Sequence, residues 1–299
     1  MNGFSMKIFI SVLFSLTLMN AQPSDPLREK LVRNISTICD TSNAIVGVAL
    51  KDLNTGDEIL IRENEVFPQA STIKIHILSE LYRQAAAGKF TLNDIRPLPS
   101  SSRVGGSGIL NMLGENTVSM SIRDYAVLMM NLSDNSATNF LIGLVGMKNV
   151  NESLQKNGAV HTKLQRVMMD YQAAKEGREN ISTPRDVMMI LEKLYNGTLV
   201  SKEASADMLS IMKLEKDGWL KEGIAPEIPI ANKAGDVEGV RVDAGIIFLE
   251  HNPYILCVMT KLLLHDDEGE KIISAVSREA FNYFERKANS NQFGRRIPK

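Results

Sequence analysis

Two blocks of strand patterning, one near each end of the chain, enclose a long helical middle, and that order restricts the fold more than any other feature. Ala44–Leu50 reads as a strand, Asn54-Thr55-Gly56-Asp57 as a turn and Glu58–Arg62 as its hairpin partner. Ahead of them, Leu27–Ile38 carries apolar residues at helical spacing. From Ser71 to about Lys213 the pattern is helical, most clearly at Ile73–Ala87, Ser121–Met130, Ala137–Val145, Val150–Asn157 and Arg185–Asn196. Strands return from Asp236 onward, at Gly245–Leu249 and Tyr254–Thr260, and a closing helix runs near Lys271–Lys287. Strands at both ends around a helical block imply one sheet built from both termini. The expectation is an α/β (α+β) protein. An antiparallel sheet domain with flanking helices takes residues 23–70 and 214–299, and an inserted all-α domain takes 71–213. A cleft between two such domains is where ligand sites are often found.

Residues 1–22 are read as a targeting segment. Lys7 supplies positive charge, and Ile8–Met19 is an uncharged, mostly apolar run too short to span a bilayer comfortably. Met6, directly before Lys7, is an alternative start. Export to the periplasm or the cell exterior is expected, with no membrane association after cleavage. The chain has 34 basic and 35 acidic residues, a balance that gives no reason to expect nucleic acid or an anionic membrane as partner. His76, His161, His251 and His265 form no ligand-spaced cluster, so no metal or other cofactor is expected. Cys39 and Cys257 could pair in an oxidising compartment. Both sit in apolar surroundings, however, and two buried free thiols is the preferred reading. A monomer acting on a small molecule is expected.

The chemistry lies in three motifs: Ser71-Thr72-Ile73-Lys74, Ser133-Asp134-Asn135 and Lys233-Ala234-Gly235. S-x-x-K recurs at Ser153 and Ser210, and K-x-G at Lys156, Lys175, Lys216 and Lys221, so the flanks must select among the copies. Only Ser71 follows an extended Phe67-Pro68-Gln69-Ala70 segment that turns into an apolar helix, which sets it at a helix N-terminus where free N–H groups point outward. A serine hydroxyl is a poor nucleophile until something takes its proton. Lys74, one helical turn on, can accept it if burial and neighbouring positive charge favour the neutral amine. Ser133 can relay a proton to a leaving nitrogen, and Lys233 can hold that hydroxyl while attracting a substrate carboxylate.

With these motifs and their flanks, the chain resembles the class A serine β-lactamases, within the wider group of penicillin-recognising serine enzymes. The likeness runs from the Ala44 hairpin to the last helix. It includes Leu132–Asn139, Gly106-Ser107-Gly108-Ile109-Leu110 and the run Gly239–Ile246. The resemblance implies catalytic roles for Ser71, Lys74, Ser133 and Lys233. It further implies substrate binding by Asn135, Ala234, Gly235 and Asp236, with the backbone N–H groups of Ser71 and Asp236 as oxyanion donors. Two departures stand out. Ala234 lacks the hydroxyl usual at that position, a hydrogen bond to substrate worth about 1.5–3 kcal/mol if charge-assisted. Arg241 is a compensating carboxylate partner on one reading and a structural ion pair with Asp243 or another acid on the other. The second departure is the loop Arg166–Ala174, where Met168 falls near the family's usual Glu, the residue that activates the deacylating water. Asp170, Glu176 and Glu179 are the nearby carboxylates. Asp170 is the candidate substitute base, its alternative being to brace the loop, and Met168 and Met169 are read as core packing.

The favoured function is therefore hydrolysis of a β-lactam amide through a Ser71 acyl-enzyme. The chief rival is a penicillin-binding D-alanyl peptidase or esterase that releases β-lactams slowly, and a non-catalytic binding module is a third reading.

Overall fold

The computed structural model describes residues 25–291 and 293–296, so the targeting segment lies outside the described residues. Helix α1 (Pro26–Thr41) leads into the hairpin β1 (Ile45–Asp52) and β2 (Glu58–Ile61). The short β3 (Phe67–Pro68) and a 3₁₀ turn, Ala70–Ile73, feed α2 (Lys74–Ala86). A ribbon of β4 (Ile95–Pro97) and β5 (Ser119–Ser121) precedes α3 (Ile122–Asn131), α4 (Asn135–Val145) and α5 (Met147–Lys156). Short α6 (Tyr171–Lys175) and β6 (Ile181–Ser182) come before α7 (Pro184–Tyr195), α8 (Lys202–Met212) and α9 (Trp219–Glu222). The chain then forms β7 (Ile230–Val237), β8 (Val240–Ile247) and β9 (Tyr254–Lys261) and closes with α10 (Asp266–Ala288).

The main sheet is antiparallel, in the order β2-β1-β9-β8-β7. First and last strands of the chain meet at its centre, where β1 pairs with β9 from Ile45↔Lys261 to Asp52↔Tyr254. Leu31 and Ile35 of α1 and Ile273, Val276 and Phe284 of α10 cover one face. The helical body covers the other, with Ile73, Leu78 and Leu81 packed toward Ala231, Val242 and Ile246. Cys39 belongs to the first of these cores and Cys257 to the second, and both are buried free thiols on opposite faces of the sheet. Helix α7, numbered within the inserted block, packs against β1, β8 and β9 and so joins that block to the sheet.

Several helix starts follow from capping chemistry. Asp25 accepts from the backbone N–H groups of Leu27 and Arg28 with Pro26 in the first turn, and Thr183 caps α7 ahead of Pro184. Other boundaries depart from the sequence reading. β7 begins at Ile230 instead of Asp236, and β8 spans Val240–Ile247 instead of Gly245–Leu249. The reason is polar content: Asn232, Lys233, Arg241 and Asp243 interrupt the apolar run, yet all four are buried. α10 starts at Asp266 instead of Lys271, because its first turn carries Asp266, Asp267 and Glu268, which suit a helix N-terminus without adding apolar periodicity.

Candidate active site

Every residue from Ala70 to Tyr82 is buried except Ser71, which is half-buried. A helix buried on all sides is a rigid base, and the turn at its start leaves one hydroxyl facing outward. Ala70 reaches that turn with φ 45°, and Ser133, between α3 and α4, has φ 53°. Left-handed backbone at non-glycine residues costs energy that the surroundings must offset, and such residues cluster at functional sites. Here the two strained turns bring their serines together. Ser133 Oγ donates to Ser71 Oγ at 2.9 Å, and Lys74 Nζ lies 3.0 Å from Ser71 Oγ and 2.9 Å from Ser133 Oγ. Lys74 also donates to the Ser133 carbonyl at 2.7 Å and to Asn135 Oδ1 at 3.1 Å.

β7 is the edge strand of the sheet and runs along this turn. A Cβ on Gly235 would stand 2.7 Å from Ser71 N and 2.8 Å from Thr72 N, so only glycine lets the strand lie this close to the nucleophile. Thr72 Oγ1 donates to the Lys233 carbonyl at 3.2 Å and fixes the register. Burial, and then the positive charge of Lys233, push the Lys74 ammonium well below the ordinary lysine range, with Asp134 and Asp236 opposing. Burial also lowers Lys233 to about 8, against the pull of Asp243. Lys233 departs from its expected contact: its Nζ donates to the Ala234 carbonyl at 2.7 Å, and its bond to Ser133 is not formed.

Arg241 is a correction to the carboxylate-partner reading. Its Nε donates to Glu270 at 3.1 Å, its Nη1 to the carbonyls of Val237 and Val240, and its Nη2 pairs with Asp266 at 3.1 Å. Four of the five guanidinium N–H groups are engaged in this way and the side chain is 10% exposed, so its charge is directed to Asp266 and Glu270. It is the structural ion pair, though not with Asp243. That carboxylate accepts instead from Leu220 N at 3.0 Å and Asn232 Nδ2 at 2.9 Å, and burial raises its pKa.

The Arg166–Ala174 loop is braced at both ends. Arg166 pairs with Glu179 at 3.0 Å, and Asn180 Oδ1 accepts from Gln165 N and Arg166 N. In the middle, Asn139 holds the Met168 backbone from both sides: Met168 N donates to Asn139 Oδ1 at 2.8 Å, and Asn139 Nδ2 donates to the Met168 carbonyl at 3.2 Å. Met168 is 6% exposed and packs in the helical core as expected, and half-buried Met169 packs against the same core. Asp170 caps α6, accepting from Ala173 N at 2.9 Å. That contact fits the bracing role and engages one of the two carboxylate oxygens. Asn replaces Asp as a helix cap at little cost, whereas Ala costs about 0.5–2 kcal/mol. Asp170→Asn is therefore expected to keep wild-type melting and wild-type acyl release, and Asp170→Ala to lower the melting temperature. Slower release in Asp170→Asn, measured by loss of adduct mass with time, would restore the base.

Three contributors escaped the sequence reading. Asn139 lies in the flank of the second motif, but its spacing to Met168 carries no local signal. Gln69 and His76 pair behind the nucleophile turn at 3.0 Å between Nε2 atoms, with His76 held neutral by burial, its pKa down to about 3. A single buried histidine on an apolar helix offers nothing to separate it from ordinary core.

Comparison with known proteins places this arrangement. Residues 30–284 match the model of the Beta-lactamase enzyme family. The chain is 25% identical over 285 residues to an imipenem-hydrolyzing beta-lactamase of Enterobacter cloacae, covering 91% of this chain and 96% of that one. It is 25% identical over 234 residues to beta-lactamase CARB-3 of Pseudomonas aeruginosa, covering 76% and 80% respectively. Among solved structures, PBP-A superposes with TM-score 0.79 at 26% identity, over 86% of this chain and 96% of PBP-A. A leucine-to-glutamate variant of PBP-A, in an acyl-enzyme complex with penicillin G, gives TM-score 0.78 at 27% identity, over 87% and 96%. The beta-lactamase of Sphaerobacter thermophilus gives TM-score 0.78 at 27% identity, over 86% and 97%. With fold, motif order and a family match across most of its length in agreement, the chain belongs to the beta-lactamase enzyme family.

Proposed function

We propose that this protein opens β-lactams by a class A-like serine mechanism, through a covalent ester on Ser71, and that it releases the product slowly. The observation carrying this reading is the contact of Ser71 Oγ with Lys74 Nζ at 3.0 Å and Ser133 Oγ at 2.9 Å. Ser71 Oγ attacks the lactam carbonyl while its proton passes to neutral Lys74. Backbone N–H groups of Ser71 and Asp236 hold the oxyanion; losing one such donor costs about 3 kcal/mol. The C–N bond then breaks. The leaving nitrogen takes the Ser133 proton, and Lys74 returns its proton to Ser133. Buried, charged Lys233 draws the substrate carboxylate toward β7.

Slow release, as in a penicillin-binding peptidase or esterase, is favoured by one specific observation. At the loop position where the family resemblance implies a water-activating carboxylate, this chain carries Met168, whose buried thioether accepts no proton, and Asp170 caps its own helix. We also place the site of action outside the cytoplasm, on the charge and apolar run of residues 1–22.

The test is intact-protein mass spectrometry with benzylpenicillin, alongside nitrocefin kinetics. One acyl adduct per chain is expected, mapped to the Ser71 peptide and absent from Ser71→Ala, with a nitrocefin burst followed by a slower steady rate. An adduct on Ser153 or Ser210, or one surviving Ser71→Ala, overturns the nucleophile. Rapid turnover with no burst overturns slow release and leaves an efficient β-lactamase.

A further inference from the structure

Beyond the catalytic serines, the Arg166–Ala174 loop carries a side chain whose backbone is held in an unfavourable conformation. Met169 has φ 65°, a left-handed value that a long side chain rarely adopts and that glycine takes freely. Its position is enforced on both sides: Asn139 clamps the Met168 backbone, and Asp170 caps α6. Opposite stands the 104–110 loop, itself tied to α4. Ser136 Oγ bonds the Val104 backbone at 3.1 Å, Asn135 N donates to the Ser107 carbonyl at 3.0 Å, and Asp134 Oδ2 accepts from Ile109 N and Leu110 N at 2.7 and 2.9 Å.

The two loops meet at Gly106. An atom built at its missing Cβ would lie 2.7 Å from Asn135 Nδ2 and 2.9 Å from Met169 Sδ, so the amide and the thioether converge on one point. Asn135 contacts Lys74 through Oδ1 and donates to the Gly105 carbonyl at 3.2 Å through Nδ2, which puts that point one side chain from the proton relay. Tyr171 Oη, 3.9 Å from Met169 Sδ, extends the wall outward, and Tyr171 is 66% exposed.

The geometry points to Met169 as a specificity-determining gate for the acyl arm of the substrate. A ligand whose arm runs past Asn135 must displace the Met169 thioether from Gly106. One with no arm meets no obstacle. The favoured substrates are thus β-lactams or esters with small acyl substituents, and bulky aryl-acyl compounds are discriminated against. This rests on the acyl-transfer reading above.

Met169→Gly tests it, because glycine suits the φ of this position and removes the side chain. The second-order rate of adduct formation is measured for benzylpenicillin, with its phenylacetyl arm, and for 6-aminopenicillanic acid, which has none. Met169→Gly is expected to raise the benzylpenicillin rate about tenfold or more relative to 6-aminopenicillanic acid. Met169→Leu, which keeps the bulk, is expected to retain the wild-type ratio. Met169→Ala serves in its place if the glycine variant melts early. An unchanged ratio, or an equal rise for both compounds, overturns the gate. The same ratio taken from dissociation constants in a Ser71→Ala background needs no covalent step. It therefore decides the gate even if the acyl-enzyme reading fails.

Discussion

Lys74→Ala is expected to slow acyl-enzyme formation by about 10²–10⁴-fold, the usual contribution of a positioned base, while the far-ultraviolet circular dichroism stays native. Among the described residues, Lys74 is the one side chain hydrogen-bonded to both hydroxyls of the relay. Two effects oppose each other at its amine. Four oxygen atoms within 3.1 Å favour the charged form, whereas complete burial and the charge of Lys233 disfavour it. Burial is the larger effect, so the balance at this amine moves toward the neutral form. The sign of the pH dependence follows. Acylation falls on the acid side as Lys74 gains its proton. It falls again on the alkaline side as Lys233 loses its charge at about 8 and no longer attracts the substrate carboxylate. A bell-shaped rate profile is expected, and Lys233→Arg should move its alkaline limb upward, since arginine stays charged. If Lys74→Ala acylates at the wild-type rate, the lysine has no part in the proton transfer.

What was legible in the sequence was whatever local chemistry or periodicity encodes. The hairpin, the helical middle and the closing helix follow from apolar spacing, and helices α1 and α7 announce themselves by Asp25-Pro26 and Thr183-Pro184. The serines and lysines of the site were legible because S-x-x-K is a one-turn spacing and S-D-N occurs once. Long-range pairing was not. Arg241 reads equally as a substrate partner or a structural ion pair, because its partners Asp266 and Glu270 are brought over only by α10. Lys233 was expected on Ser133, but Nζ folds back onto the carbonyl of its own neighbour. Strand β8 hides because Arg241 and Asp243 break its apolar run and find partners only in the folded sheet. The Met169 backbone was hidden for a different reason: its φ is imposed by Asn139 and the α6 cap, and a methionine letter says nothing of backbone angle.

Met168→Glu is the substitution expected to change the outcome of the reaction. Asn139 grips the backbone on both sides of this residue, so a new side chain at 168 should keep the direction of the old one. Deacylation then gains a base, and its rate should rise by about 10²–10⁴-fold, with the burst giving way to continuous turnover. Stability pays for it. Met168 lies in the helical core at 6% exposure, and a carboxylate placed there is disfavoured in its charged form. Its folded-state pKa stands above the unfolded value, so the folded protein binds the extra proton. The variant should therefore lose stability as pH rises from about 4.3 through the folded pKa. Melting temperature measured against pH separates the two effects: wild type should lack this added decline. Faster release in a variant that melts earlier at pH 7 than at pH 5 would identify the missing carboxylate as the step that holds the acyl-enzyme. A folded variant with unchanged release would instead place the limit elsewhere, in the route by which water reaches the Ser71 ester.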